Sequence, residues 1–243
     1  HIHDNGPGVP GGIYLDEGSA DIEVTGNLVY AVGWPMNYNN YAQNRIATCK
    51  VHDNLFGVVR TTDGVVGRAL RCQGAGVNDI PYAADLDAPA LTAEAWVRVA
   101  EIPSGTDPRR WVVSKGANEW ADGNWSLVID GANVGAYLCI GGGRENSYSA
   151  VSDGNPLRVG AWTHIAFTYD GERARVYCNG REVAAKQVGK PRTTGPAPLA
   201  IGERVDRFGP VAFEGDIDEV RVYSRALSAA ELRRNYEAVR RAK

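Results

Sequence analysis

Four carboxylates crowd into one six-residue stretch near the end of the chain, EGDIDE, as Glu214, Asp216, Asp218 and Glu219. Retaining glycoside hydrolysis uses two carboxylates about 5 Å apart, one as nucleophile and the other as acid. In a regular strand the first three share one face, and Glu219 points to the opposite face. A bulge would be needed to bring Glu214 and Glu219 together. Glu214, Asp216 and Glu219 are therefore a candidate catalytic set only if the strand carries such a bulge.

Aromatic residues in predicted loops are a second chemical feature. Sugars stack their C–H faces on exposed aromatic rings, and their hydroxyls bond to Asn, Asp, Gln and Arg side chains. Trp96, Trp162 and Phe167 alternate with polar residues inside strong strands, so we expect them in the core. Other aromatics lie in loops that also hold polar residues, although a loop aromatic can instead fold back on its own domain. The predicted carbohydrate-binding residues are Trp120, Asn118, Tyr148, Arg144, Phe208 and Arg204, with Asp122, Asn146 and Asp206 in the same loops.

Composition excludes some functions of this 243-residue chain. Its net charge of -3 argues against a general nucleic-acid binder, which would carry a basic face. No apolar run approaches the roughly 18 residues needed to span a membrane, so we expect no membrane span. Met36 is the only methionine, which predicts that the chain was processed or cut from a longer polypeptide.

The four cysteines, Cys49, Cys72, Cys139 and Cys178, include no CxxC pair, so zinc-site spacing is absent. Cys72 and Cys178 lie in strand-like surroundings. Buried, reduced thiols are the favoured interpretation. One or two disulfides in a secreted protein remain the alternative.

Strand patterns of five to nine residues, each closed by Gly, Asp or Asn, follow one another from Ile46 onward. Such spacing predicts an all-β fold, an antiparallel sandwich or jelly roll. The only convincing helix comes last, where Ser228 and Glu231 form a capping box. We predict one domain over residues 45–243.

Residues 1–44 have a different pattern, with apolar bursts of three to five residues broken by Gly, Asp and Asn. Strands this short need a stacked neighbour to be stable. The spacing resembles the rungs of a right-handed parallel β-helix, a family of coiled repeats often found in enzymes that act on polysaccharides. We predict a β-helix-like remnant or extension, with a linker or long loop at 34–45.

Several blocks between residues 46 and 236 occur in a familiar order: GVVGRALRCQG, LTAEAWVRV, WTHIAFTYDGERARVYCNGREV and FEGDIDEVRVYSRALSAAEL. They resemble the signature blocks of the laminin-G-like, concanavalin A-like jelly-roll superfamily in its bacterial form. The resemblance implies a β-sandwich. It does not choose among lectins, carbohydrate-binding modules, adhesion modules and domains appended to glycoside hydrolases.

The same resemblance bears on the acidic residues. EGDIDE matches ExDxxE, the catalytic pattern of certain retaining β-glucanases that share this fold, whereas in the laminin-G-like pattern the stretch is a structural signature. We favour the structural role. The family often presents a rim aspartate where Asn78 and Asp79 lie, and Asp216 or Asp218 could approach it, which implies a structural Ca²⁺ held by carboxylate and carbonyl oxygens.

Taken together, the sequence predicts a non-catalytic carbohydrate-binding or adhesion module of a secreted, bacterial-type, multidomain protein. Its expected partners are a poly- or oligosaccharide and other domains of the same polypeptide. One alternative is an accessory part of a polysaccharide-degrading enzyme whose catalytic residues lie upstream. The other is a structural or protein-interaction spacer.

Overall fold

Strands make up most of the residues that the structure describes. The computed structural model describes residues 2–3, 12–15, 21–25, 28–30, 36–38, 50–52, 55–57, 60–74, 76–80, 82, 87–116, 119–206 and 211–241. The chain divides into two units, residues 1–61 and 62–243, here called the parallel unit and the sandwich unit.

Strands of two or three residues form the parallel unit, and every described pair in it is parallel. The strands are β1 (Ile2–His3), β2 (Ile13–Leu15), β3 (Glu23–Thr25), β4 (Leu28–Tyr30), β5 (Met36–Tyr38), β6 (Lys50–His52) and β7 (Leu55–Gly57). β1 pairs with β4, β4 with β7, β2 with β5 and β3 with β6. The stacking supplies the neighbour that such short strands require.

The spacing of these pairs is nearly constant. Partners lie 27 residues apart for Ile2 with Val29 and Leu28 with Leu55, and 23 residues apart for Ile13 with Met36. β5 lies within the stretch expected to be a linker, because its backbone finds hydrogen-bonding partners in β2. β6 and β7 also belong to this stacking, so the units divide at residue 61, whereas the sequence pattern placed the boundary at 44. Membership of the β-helix family stays a prediction.

Two antiparallel sheets form the sandwich unit, which confirms the predicted jelly-roll class. In chain order the strands are β8 (Arg60–Asp63), β9 (Arg68–Gln73), β10 (Val77–Ile80), β11 (Leu91–Val99), β12 (Arg109–Lys115), β13 (Trp125–Asp130), β14 (Asn133–Cys139), β15 (Ser147–Val151), β16 (Trp162–Tyr169), β17 (Arg173–Cys178), β18 (Arg181–Gln187), β19 (Leu199–Ile201) and β20 (Glu214–Tyr223). The seven-stranded sheet has the order β18-β17-β16-β11-β20-β9-β8, and the six-stranded sheet β10-β19-β12-β13-β14-β15.

Strand β11 is buried on both faces. Ala93, Ala95 and Val97 point into the core between the sheets, where Trp125 and Phe167 also pack. The alternate residues, including Glu94 and Trp96, lie on the outer face of the seven-stranded sheet, and they are buried as well. A second layer must therefore cover that outer face.

The C-terminal helix α1 (Ala229–Arg241) supplies this layer. Its Leu232 packs with Ala166 and Tyr177, and its Val239 packs with Trp96. The predicted capping box is confirmed, because the Glu231 amide donates to Ser228 Oγ (3.3 Å) and the Ser228 amide donates to Glu231 Oε2 (2.9 Å). Among the described residues, no helix has the length and apolar character needed to cross a membrane.

A buried carboxylate joins the helix to the sheet. Glu94 accepts hydrogen bonds from His164 Nε2 (3.1 Å), Tyr223 Oη (2.9 Å) and, on the helix, Asn235 Nδ2 (3.0 Å). Arg221 donates to the same carboxylate at 3.3 Å. Burial raises the pKa of Glu94, but the hydrogen bonds from His164, Tyr223 and Arg221 outweigh it and hold the pKa below its usual range. The carboxylate is therefore ionised in the folded protein at neutral pH.

Three cysteines fall among the described residues, and all three are buried free thiols. Burial raises the pKa of Cys72 to about 12 and that of Cys178 to about 11, and it also raises the pKa of Cys139. This agrees with the favoured interpretation of reduced core thiols at these three positions. Cys49 lies outside the described residues.

We expect Glu94→Gln to lower the free energy of unfolding by about 3 kcal/mol at pH 7, because an amide cannot accept from four donors as a buried carboxylate does. A carboxylate whose folded pKa is depressed stabilises the protein above its unfolded pKa of about 4.3, and this contribution is lost as the pH falls through the folded value. Urea denaturation from pH 7 to pH 3.5 should show the wild type approaching the variant below about pH 4.

Glu182→Gln is the control, since that carboxylate is 45% exposed and lies 3.9 Å from Arg175. It should change the free energy of unfolding by less than about 0.5 kcal/mol. Equal losses from the two substitutions at pH 7 would show that Glu94 has no special role.

Candidate functional site

Three connections meet at one end of the six-stranded sheet, and we call them the rim loops. They are the connection between β12 and β13, described at residues 116 and 119–124 and called the 116–124 loop, residues 140–146 between β14 and β15, and residues 188–198 between β18 and β19. Adjacent antiparallel strands place the first two at the same end of the sheet. The Gly143 amide donates to the Trp120 carbonyl at 2.9 Å, which ties these two loops together.

The most exposed aromatic of the rim loops is Trp120, at 40% exposure. The Arg144 guanidinium lies over this ring at 4.2 Å from its centroid, which is a cation–π contact. The contact joins the 116–124 loop to the 140–146 loop through their side chains. It also places five N–H donors beside an exposed indole.

Further polar groups surround this pair. Asp122 Oδ1 accepts from the Gly141 amide at 2.7 Å, and Asn146 Nδ2 donates to the Gly142 carbonyl at 2.7 Å. Lys190 Nζ donates to Asn146 Oδ1 at 3.1 Å and lies 5.7 Å from the centroid of the Tyr148 ring. Exposed aromatic, cationic and acidic side chains thus share one shallow surface.

The backbone of the 140–146 loop depends on its glycines. Gly141, Gly142 and Gly143 have φ values of 104°, 75° and 83°. Residues with a Cβ rarely adopt positive φ, so three in succession favour glycine. This conformation allows the loop to turn back so that Arg144 reaches Trp120.

A buried ion triad lies beneath the rim loops. Asp87 Oδ2 accepts from Lys115 Nζ at 2.9 Å, Asp87 Oδ1 contacts Arg192, and the side chains of all three residues are at most 2% exposed. Burial lowers the pKa of Lys115 and of Arg192, although Asp87 acts in the opposite direction on both. Two buried cations share one buried carboxylate, an arrangement that is stable only with further hydrogen bonds.

Those further bonds go to the rim-loop backbone. Arg192 donates to the Gly123 carbonyl at 2.7 Å and to the Ala88 carbonyl at 2.6 Å. Asp87 accepts from the Gly195 amide at 2.8 Å. The triad therefore fixes two of the rim loops, at Gly123 and at Gly195, from inside the sandwich.

A second ionic cluster holds the start of the 116–124 loop. Glu119, which is buried, accepts from Arg109 at 3.0 Å and from Arg204 at 3.2 Å. The guanidiniums of Arg109 and Arg204 lie 5.3 and 5.4 Å from the Trp111 ring centroid, on the outer face of the six-stranded sheet. Asp107 pairs with Arg109, and Asp206 pairs with Arg204.

The structure brings together only some of the predicted carbohydrate-binding residues. Trp120, Arg144 and Tyr148 all lie in or beside the rim loops, as do Asp122 and Asn146. Arg204 is instead buried against Glu119 and Trp111. Asn118 and Phe208 lie outside the described residues. Lys190 also lies at this surface but was not among the predicted residues, because it reaches Asn146 from 44 residues away and has no aromatic neighbour in sequence.

The acidic stretch contains a β-bulge, the feature that the candidate catalytic set would require. Asp218 is paired opposite Trp96, the register then shifts, and Glu219 takes a φ of 50°. The extra residue at the bulge shifts the alternation of side chains by one position. Ile217 before the bulge and Val220 and Val222 after it therefore all pack on the core. The bulge thus restores the apolar face of β20.

Within the described part of the chain, three of the four carboxylates of this stretch, those of Asp216, Asp218 and Glu219, have protein partners. Asp216 accepts from Arg71 Nε (3.0 Å) and Arg98 Nε (2.8 Å). Asp218 accepts from the amides of Val65 (2.7 Å) and Val66 (3.0 Å). Glu219 pairs with Arg221. Glu214 is exposed. The contacts of Asp216 and Asp218 tie β20 to its neighbours, whereas Glu219 pairs within its own strand. A catalytic role of Glu214, Asp216 and Glu219 stays a prediction.

The calcium site also stays a prediction. Asn78 and Asp79 lie in β10, and their side chains are outside what the structure describes. Asp216 and Asp218 are bound by arginines and backbone amides, as above. Over the part of the chain that the structure describes, no group of three or more His, Cys, Asp or Glu side chains is arranged to hold a metal ion.

Comparison with known families places the fold. A family model described as the concanavalin A-like lectin/glucanases superfamily, of laminin-G type, matches residues 73–233. The chain belongs to this superfamily. A search of curated protein sequences found no match.

Solved structures show the same fold. Domain 4 of AbnA, a GH43 extracellular arabinanase from Geobacillus stearothermophilus in complex with arabinotriose, is 24% identical, covers 75% of this chain and 82% of that one, and has a TM-score of 0.55. The Ruminococcus gnavus IT-sialidase CBM40 bound to alpha2,3 sialyllactose is 18% identical, covers 74% and 100%, and has a TM-score of 0.54. The botulinum neurotoxin serotype G binding domain is 16% identical, covers 76% and 46%, and has a TM-score of 0.54.

We expect Arg192→Lys to lower the free energy of unfolding by about 3 kcal/mol, because lysine keeps the charge but cannot reach Asp87, Ala88 and Gly123 at once. Thermal melting should fall by roughly 6 to 12 °C for a unit of this size. Amide hydrogen exchange at Gly195 should also become faster, since that amide is bonded to Asp87.

The matched control is Arg181→Lys, which changes an exposed arginine that forms no ion pair with any described residue. Its effect should stay within about 0.5 kcal/mol. Equal stability of both variants would mean that the triad does not hold the rim loops.

Proposed function

We propose that the sandwich unit is a non-catalytic carbohydrate-binding module and that its ligand binds at the rim loops. The observation that carries this proposal is the exposed Trp120 ring, with the Arg144 guanidinium at 4.2 Å and polar side chains around it. An exposed aromatic next to hydrogen-bonding groups is what a shallow sugar site needs. The superfamily supports the proposal, and so do structural neighbours whose names include arabinotriose and sialyllactose.

Each group of the site has a role in this proposal. A sugar ring stacks its C–H face on the exposed part of Trp120, which removes apolar area of both from water. Arg144 and Lys190 donate to ring hydroxyls and Asp122 accepts from them, because these three side chains are exposed beside the ring. Tyr148 extends the surface toward a second sugar residue. No covalent chemistry is involved.

We expect the affinity for a glycan to depend more on the rigidity of the rim loops than on the number of contacts. Ordering a loop on binding opposes affinity, so a surface that is already fixed loses less free energy. The rim loops are fixed by Arg192 at Gly123, by Asp87 at Gly195 and by Glu119 next to Trp120. This arrangement supports a preformed site.

We further propose that the module works within a larger secreted polypeptide that degrades polysaccharide. This second candidate is favoured by the names of two neighbours, which are domains of an arabinanase and of a sialidase. The parallel unit, with its 27-residue stacking, adds a second architecture to the same chain. Release of reducing ends from arabinan by this chain itself, abolished by Glu214→Gln, would contradict a purely binding role.

We expect Trp120→Ala to weaken glycan binding by about 2 kcal/mol, roughly 30-fold, because tryptophan at the centre of a site contributes most of the stacking free energy. A glycan array containing arabinan and sialylated oligosaccharides identifies the probe, and calorimetry with the best oligosaccharide measures Kd. Tyr82→Ala is the control, since Tyr82 is 39% exposed and lies outside the rim loops. It should leave Kd unchanged.

Two results would overturn the proposal. One is that the wild type retains no glycan on the array. The other is that Trp120→Ala binds the best oligosaccharide as tightly as Tyr82→Ala does. Melting temperatures of both variants confirm that they are folded.

A further inference from the structure

A cleft of about 420 Å³ lies between helix α1 and the β17–β18 hairpin, away from the rim loops in the fold. Clefts of this size, within the range of about 300 to 1,000 Å³, hold small molecules in other proteins. Three of the residues lining it are arginines from two elements, Arg181 on the hairpin and Arg233 and Arg240 on the helix. Pro156, Val183 and Tyr236 supply an apolar wall.

The two sides of the cleft are held rigidly. The turn before Arg181 is fixed to β16, because the Asn179 amide donates to the His164 carbonyl at 2.8 Å and the His164 amide donates to Asn179 Oδ1 at 3.1 Å. Gly180 has a φ of 72°, and a Cβ there would lie 2.9 Å from the Cα of Arg233. Only glycine allows the helix to approach the turn this closely, so the positions of Arg181 and Arg233 are set by the backbone.

The charges in the cleft are not balanced. Positions 233, 237 and 240 lie on one face of the helix, and Glu237 pairs there with Arg233 at 3.0 Å. Among the residues that the structure describes, Arg181 and Arg240 form no ion pair. The chain as a whole has a net charge of -3, so this positive cluster does not reflect a basic composition. An anion in the cleft would be attracted by the arginine charges that Glu237 does not balance.

We propose that this cleft binds an acidic sugar residue through its carboxylate. Guanidinium groups hold carboxylates with paired hydrogen bonds, which assigns the acid group to Arg181 and Arg240. The wall of Pro156, Val183 and Tyr236 takes the C–H face of the sugar ring. The cleft is larger than an inorganic anion needs, which favours a ligand with a ring as well as a charge. This site is separate from the one under Proposed function and does not rest on it.

Calorimetric titration with trigalacturonate tests the proposal, with a neutral trisaccharide and inorganic sulfate as comparison ligands. We expect trigalacturonate to bind this cleft with an affinity that falls as salt is raised, and neither the neutral trisaccharide nor sulfate to compete with it. Arg181→Gln and Arg240→Gln should each weaken it by about tenfold or more, which corresponds to the loss of one charged hydrogen-bonded pair. Trp120→Ala should leave it unchanged, so failure here is distinguishable from failure at the rim loops.

Arg234→Gln is the matched control, because it removes an exposed arginine of the same helix that does not line the cleft. It should alter Kd by less than about twofold. An equal loss in Arg234→Gln would reveal a diffuse basic surface and overturn the proposal, as would the absence of trigalacturonate binding or equal binding of sulfate. Arg181 lies outside the helix, so its variant remains informative even if Arg240→Gln loosens the helix end.

Discussion

Strand β11 turns neither of its faces to water, and this constraint determines the chemistry on both sides of it. Toward the second sheet it presents Ala93, Ala95 and Val97, whose small size lets Trp125 and Phe167 pack across the sandwich. Toward the helix it presents Glu94 and Trp96, which are buried although one of them is charged. A buried carboxylate needs donors from every side. Helix α1 is therefore held by hydrogen bonds to the sheet as well as by apolar contact.

Ionic groups beneath the rim loops meet a similar need for hydrogen-bonding partners. Loop backbone that approaches the core has carbonyls and amides without strand partners, and these need hydrogen bonds when water is excluded. Arg192, Asp87 and Glu119 meet that need at the rim, because each bonds to backbone or to a cation inside the sandwich. The exposed residues above them are free to vary in type without disturbing the fold. A scaffold of this kind can present many different surfaces.

Local pattern predicted the fold well and the site less well. Alternating strands and turn residues were enough for the jelly roll, and Ser228 with Glu231 gave the helix start, because these signals depend on residues a few positions apart. Trp120, Arg144 and Tyr148 were predicted because each is an aromatic or cation in an expected loop, although Tyr148 lies in strand β15. Lys190 and the partners of Asp87 could not be predicted, since contacts between residues 28 to 108 positions apart leave no mark in one sequence. The bulge at Glu219 could not be located either, because a bulge is defined by the register between paired strands.

The buried thiols have a use that follows from where they lie. Cys139 ends β14 at the rim loops, and its Sγ contacts the Gly143 carbonyl at 3.7 Å. Cys178 lines the arginine cleft, and Cys72 lies in β9, toward the opposite edge of the seven-stranded sheet. Thiols with raised pKa values react slowly with alkylating reagents until the surrounding structure opens. The labelling rate of each described thiol therefore reports how often its own surroundings open, at the rim loops, at the cleft and in the seven-stranded sheet.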